Sequence, residues 1–182
     1  MPTDKKILLL GYGNVDRQDD GVAWHILAHV SKQIDRPANT AETGSVDSHE
    51  PFQLTGENPD FLFVLQLTPE LAETVAQFDR VCFVDAHTGN IEEDIRFQKI
   101  EGQFQSSPFT HHLTAQTLLV LAETLYGKKP EAFLLSVRGF EFGFSQDLSL
   151  ATGQLSLQAA QTLVSWIRKS ILIDGQASMD CA

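Results

Sequence analysis

Short apolar runs alternate along the chain with segments whose apolar residues recur at helical spacing. Lys6–Leu10 is the first run and reads as a strand, with Gly11-Tyr12-Gly13-Asn14 as the turn after it. A helix then starts at Asp19-Asp20-Gly21, with Val22, Ala23, Ile26, Leu27 and Val30 on one face. Phe61–Leu67 and Arg80–Val84 read as further buried strands, the second ending at Asp85. Between them a helix runs from Pro69 to Gln77, with Thr68 as N-cap and proline at the first helical position, where a missing N–H is tolerated. Ile95–Ile100 alternates in polarity and is expected at a sheet edge. Leu113–Tyr126 is an amphipathic helix stopped by Gly127. Ala132–Val137 is the last strand, and a closing helix covers Ser149–Ile171, with a break expected near Gly153.

Strands alternating with helices predict an α/β fold: a single domain with a mostly parallel twisted sheet and helices on both faces. Residues 1–174 are expected to form that domain and residues 175–182 a frayed tail. The stretch from Pro37 to Pro59 is polar and rich in turn residues. A short strand is expected in it near Glu42–Asp47, and the rest reads as a lid or docking loop near the active rim.

With 182 residues and 42% hydrophobic composition, the chain has enough apolar surface for one core. Its formal charge of −11 repels nucleic acid and anionic membranes, which excludes both as expected partners. No apolar run approaches the ~18 residues of a membrane span. The first apolar run follows Met1–Lys6 without a separate signal region, so a cytoplasmic protein is expected, and it is expected to be a monomer. The cysteines agree with a reducing compartment: Cys82 falls in a core strand, Cys181 in the tail, and no CxxC spacing exists. Any metal must therefore be held by oxygen and imidazole.

In an open α/β sheet the ligand site lies beyond the carboxyl ends of the strands. The loops there carry Asp16, Asp19 and Asp20 after the first strand, Asp85 and His87 after the Val81–Val84 run, and His111-His112 before the long helix. One reading is nucleotide binding through Gly11-Tyr12-Gly13-Asn14-Val15-Asp16. It lacks the third glycine, and its acids oppose a phosphate, so a tight turn explains the glycines equally well. The other is a metal site of Asp20, Asp85 and either His111 or His112, a donor set suited to a borderline ion such as nickel or zinc. Plain alternatives remain for each: a helix N-terminal charge for Asp19 or Asp20, a turn cap for Asp85, solvent-facing histidines before the helix. His25 and His29 share helical spacing but lack the glutamate of HExxH, and read as a solvated pair, while His49 lies in the polar loop. His87 is a candidate to orient the ligand set.

At the same loops the sequence resembles the [NiFe]-hydrogenase maturation endopeptidases. The matching stretches are Leu9-Leu10-Gly11-Tyr12-Gly13-Asn14, Asp19-Asp20-Gly21-Val22, Gln66-Leu67-Thr68-Pro69-Glu70-Leu71-Ala72, Phe83-Val84-Asp85-Ala86 and Phe109-Thr110-His111-His112-Leu113. The resemblance implies a protease that cuts a C-terminal extension from the hydrogenase large-subunit precursor once nickel is inserted. It places the family's ligands, which are also the expected catalytic set, at Asp20, Asp85 and His111, with zinc or cadmium as surrogates for nickel. Ala86-His87 stands where the family often has a glycine, and the histidine is doubled. The implied chemistry is metal-assisted peptide hydrolysis without a covalent intermediate, with Asp16 or Asp19 as a candidate base. The alternatives are a non-catalytic nickel-sensing chaperone and a nucleotide-binding α/β module.

Overall fold

A computed structural model describes residues 5–35, 53–104 and 113–179. Six strands form one sheet: β1 (Ile7–Tyr12), β2 (Gln53–Leu54), β3 (Asp60–Val64), β4 (Arg80–His87), β5 (Ile95–Ile100) and β6 (Glu131–Arg138). Their order is β2-β3-β1-β4-β6-β5. The inner four are parallel, and β2 and β5 close the two edges antiparallel, β5 as its alternating polarity predicts. The mostly parallel α/β expectation holds.

Alternation along the strands sends neighbouring residues to opposite faces. Ile7, Leu9, Cys82, Val84, Leu135 and Val137 pack under helices α1 (Val22–Gln33) and α4 (Leu150–Met179). Leu8, Leu10, Val81 and Phe83 pack under α2 (Leu71–Val75) and α3 (Ala115–Tyr126). Both faces are thus covered, which accounts for apolar runs without alternation in the central strands. Cys82 is a buried free thiol. No helix among the described residues is long and apolar enough to cross a membrane.

Several boundaries differ from expectation. β4 continues past Val84 through Asp85 to His87, because β6 pairs with it along its whole length. α2 begins at Leu71: the amides of Leu71 and Ala72 bond back three residues, to Thr68 and Pro69, and this tight turn uses up the expected first turn. α3 starts after Thr114, whose hydroxyl accepts from the Thr117 amide, and ends at Gly127 with φ 65°, the left-handed cap its glycine predicts. α4 runs unbroken through Gly153 to Met179, past the expected end at Ile171. The strand expected near Glu42–Asp47 lies outside the described residues. Downstream, β2 occupies part of the expected lid, and Asn58 ties to the Ile7 amide and the Lys5 carbonyl. That attachment is at the start of β1, the opposite end of the sheet from the rim where the lid was expected.

Candidate active site

The chain leaves β1 for β3 on one side and then returns across β1 to β4 on the other. Crossovers that diverge in this way open a crevice at the carboxyl ends of the strands. A cleft of about 1260 Å³ lies there. Tyr12 to Asn14 line it from β1, residues 65–69 from the chain after β3, Asp85 and Ala86 from β4, and Leu113 and Thr114 from the approach to α3.

The β1–α1 turn shows what its glycines are for. Gly13 has φ 141°, and a Cβ there would run into the Asp20 carbonyl oxygen, so only glycine lets the turn close. The Asp20 carboxylate accepts from the Asn14 amide at 2.9 Å, and the Asn14 side chain accepts from the Asp16 amide at 2.9 Å. The amides of Gly13 and Arg17 bond to the carbonyls of Val64 and Asn14. A phosphate cradle needs such amides unengaged. The nucleotide reading fails on this geometry.

Asp85 is mostly buried at the end of β4. It stands on the same sheet face as Phe83, beside Tyr12 of the neighbouring strand. Burial pushes its carboxyl up; bonds from the Tyr12 hydroxyl and the Ala86 amide pull it back, and the charge of Asp20 raises it again, to about 7. Tyr12 is driven well above the ordinary phenol range by burial, by the Asp85 charge and by its bond to Asp85. Asp20 and Asp85 therefore share one cleft and feel each other. Tyr12 was not singled out in the sequence. Strand alternation places it two residues after Leu10 on the same face, but only the β1–β4 pairing sets it against Asp85.

Asp19, next to Asp20, points the other way. It is fully buried, and its oxygens accept from the amides of Phe140, Glu141 and Ser149 and from the hydroxyls of Ser149 and Thr152, all at 2.7–2.9 Å. Burial alone would raise its carboxyl, but the Ser149 hydroxyl and the amides of Glu141, Phe140 and Ser149 outweigh it, and the pKa falls below the ordinary value. Asp19 is thus neither a helix-terminal surface charge nor an available base. It clamps the chain between β6 and α4 onto the β1–α1 turn. Gly139 allows that close approach, since a Cβ there would meet the Phe142 ring and the Asp19 Cβ. Gln18 completes the junction: its amide bonds to Ser145 and its side chain to Glu141 and Gly143, holding it at φ 54°, a conformation that costs a non-glycine residue about 1 kcal/mol. Asp16 accepts from the Gln146 side chain.

The histidines divide differently from expectation. His87 does not orient the cleft carboxylates. Its Nε2 faces the Glu93 carbonyl and so carries the proton, and its Nδ1 accepts from the Ser136 hydroxyl, which makes it a buried staple under the β4–β5 turn. Desolvation by burial lowers its pKa. His25 is not fully solvated: its ring packs edge-on against Trp24 and bonds the Gln146 carbonyl. His111, His112 and His49 lie outside the described residues. Among the described residues no group of three metal-binding side chains forms. Leu113, directly after His112, lines the cleft.

No family model matches the chain, and no curated protein matches it in sequence. Solved structures do match. The hydrogenase maturating endopeptidase HybD from E. coli is 17% identical with a TM-score of 0.66, the match covering 91% of this chain and 93% of that one. An endopeptidase from Escherichia coli is 17% identical with a TM-score of 0.61, over 91% and 93% of the two chains. The [NiFe]-hydrogenase maturation protease HycI from Thermococcus kodakarensis is 15% identical with a TM-score of 0.58, over 90% and 93%. The chain has the fold of the hydrogenase maturation endopeptidases.

Proposed function

We propose that this protein is an endopeptidase that removes a C-terminal extension from the nickel-loaded large-subunit precursor of a [NiFe]-hydrogenase. The observation that supports it most is the meeting of Asp20 and Asp85 in an open cleft, at the strand-order reversal of a fold shared with maturation proteases. At about 1260 Å³ the cleft exceeds the usual ~300–1,000 Å³ of small-ligand pockets, and a length of peptide suits it better.

The nickel belongs to the substrate. On this reading Asp20, Asp85 and His111 receive it, with zinc or cadmium able to take its place. Asp85, with its pKa near 7, holds a proton for part of the time at neutral pH, and a cation arriving beside it displaces that proton. The Tyr12 hydroxyl donates to the carboxylate. When bound, the ion supplies Lewis-acid polarisation of the scissile carbonyl or an activated water. The cleft supplies position, holding the segment to be cut against the rim. The proposed chemistry is metal-assisted hydrolysis by water, without a covalent intermediate.

The test is incubation with nickel-loaded and nickel-free precursor, followed by mass measurement. The expected result is a large subunit shortened at its C-terminus in the nickel-loaded sample only. Stable binding with no change in mass would make the protein a nickel-sensing chaperone instead.

A further inference from the structure

Among the described residues lining the cleft, Arg17 is the one cation, set on a wall that also carries Asp20 and Asp85. Its neighbours fix its backbone on both sides. The Arg17 amide bonds to the Asn14 carbonyl, Arg17 bridges to Ser145, and Gln18 beside it is held in the left-handed region by Ser145, Glu141 and Gly143. Despite this fixed base the side chain is exposed, and it makes no ion pair with any described residue. Each neighbouring acid directs one oxygen to another partner: Asp16 to the Gln146 side chain, Asp20 to the Asn14 amide. A guanidinium on a rigid base, facing an open cleft without a counter-ion among the described residues, is preorganised for a planar anion.

We propose that Arg17 binds a carboxylate of the peptide extension that is cut away. This rests on the protease reading above. The chain carries a net charge of −11, Asp20 and Asp85 are the two acids among the described lining residues, and a substrate carboxylate beside either is repelled. Arg17 is the one described lining residue that attracts it by charge, so the contact sets which stretch of the extension lies against the two acids. The carboxylate is either the terminal one, present in every extension, or an acidic side chain within it.

The experiment is steady-state cleavage of nickel-loaded precursor by the wild type, Arg17→Gln and Arg17→Lys. Each enzyme meets the native substrate, one with an amidated C-terminus, and one whose extension has its acidic side chains changed to amides. Arg17→Gln should raise KM for native precursor by about tenfold to a hundredfold with kcat little changed, and Arg17→Lys should recover part of the loss. One of the two altered substrates should raise KM for the wild type by a similar factor and leave Arg17→Gln unaffected. Amidation doing so identifies the terminal carboxylate; the side-chain change doing so identifies an internal acid. An unchanged KM for Arg17→Gln on native precursor overturns the inference, as does a wild type indifferent to both altered substrates, or a loss in Arg17→Gln that is equal on all three. In each of those cases wild-type cleavage leaves the protease reading standing. A wild type that cleaves none of them removes both.

Discussion

Behind the β1–α1 turn, Asp19 has donors on every side, whereas at the end of β4 Asp85 has the Tyr12 hydroxyl, its neighbour's amide and the charge of Asp20. Both carboxylates have been withdrawn from water. Asp19 is held ionised, below the ordinary aspartate range, and its charge is spent on fastening two loops. Asp85 is short of donors, stands near the charge of Asp20, and is pushed up to about 7, so it exchanges its proton near neutral pH. What separates the two is the supply of hydrogen-bond donors, since burial alone drives both in the same direction. The satisfied acid serves the fold. The under-satisfied one, opening on the cleft, is the candidate for chemistry.

The largest effect that tests this contrast is on cleavage. Asp85→Asn should reduce turnover of nickel-loaded precursor by on the order of a thousandfold while the circular dichroism spectrum stays native, because it removes a charge needed only at the site. Asp20→Asn should behave alike. An Asp85→Asn enzyme with near-normal turnover would erase the functional half of the comparison. His111→Ala is expected to be equally inactive and His112→Ala to keep measurable activity, read from the same time course. The reverse outcome would shift the ligand by one residue, and normal cleavage by both would remove the metal site.

Next in size is the stability of the Asp19 clamp. Asp19→Ala leaves buried amides and hydroxyls without an acceptor and should cost about 3–5 kcal/mol in denaturant unfolding. Asp19→Asn should lose less, since one acceptor oxygen remains while its amide nitrogen faces donors. A loss under 1 kcal/mol for the alanine variant would show that the loops hold each other without the carboxylate.

The smallest effect is in pH dependence, where the two acids have opposite signs. The lowered pKa of Asp19 contributes stability that is present above the unfolded value near 4 and is lost as pH falls through the folded one. The raised pKa of Asp85 works the other way. Its neutral form favours the fold fully below about pH 4, and that contribution fades as pH climbs to about 7. In metal-free protein, Asp85→Asn should therefore match the wild type near pH 4. At pH 8 it should exceed it by on the order of 2–4 kcal/mol, measured by denaturant midpoints. A difference that does not grow with pH would mean that water reaches Asp85 and keeps it ordinary.

Much of the architecture was legible because its causes are local. The apolar run at Ile7–Leu10 and the glycines after it specify a strand and a turn, Gly127 ends α3, and the alternation in Ile95–Ile100 marks an edge strand. Boundaries that depend on a partner were missed. β4 reaches His87 because β6 offers hydrogen bonds that far, and α4 passes Gly153 because Thr152 and Ser156 on either side of it are buried and the helix packs on through Ala159, Ala160 and Leu163. His87 looked like an orienting residue from its place two after Asp85, yet its partners are Ser136 and Glu93, which sequence proximity to the acid does not reveal.

Composition and short-range periodicity specify the succession of helices and the central strands, the acidic charge, and the loops on which carboxylates and histidines cluster. What each acid does depends on contacts that form when the chain packs. Asp19 and Asp20 are adjacent and chemically identical, so no pattern of neighbours distinguishes them. The donors that claim Asp19 come from Phe140, Glu141, Ser149 and Thr152, more than 100 positions later in the chain. Asp20 is left facing Asp85 because β4 lies beside β1 in space though far from it in sequence. A carboxylate's pKa and role are set by what surrounds it within a few ångströms, and folding assembles those surroundings from distant parts of the chain.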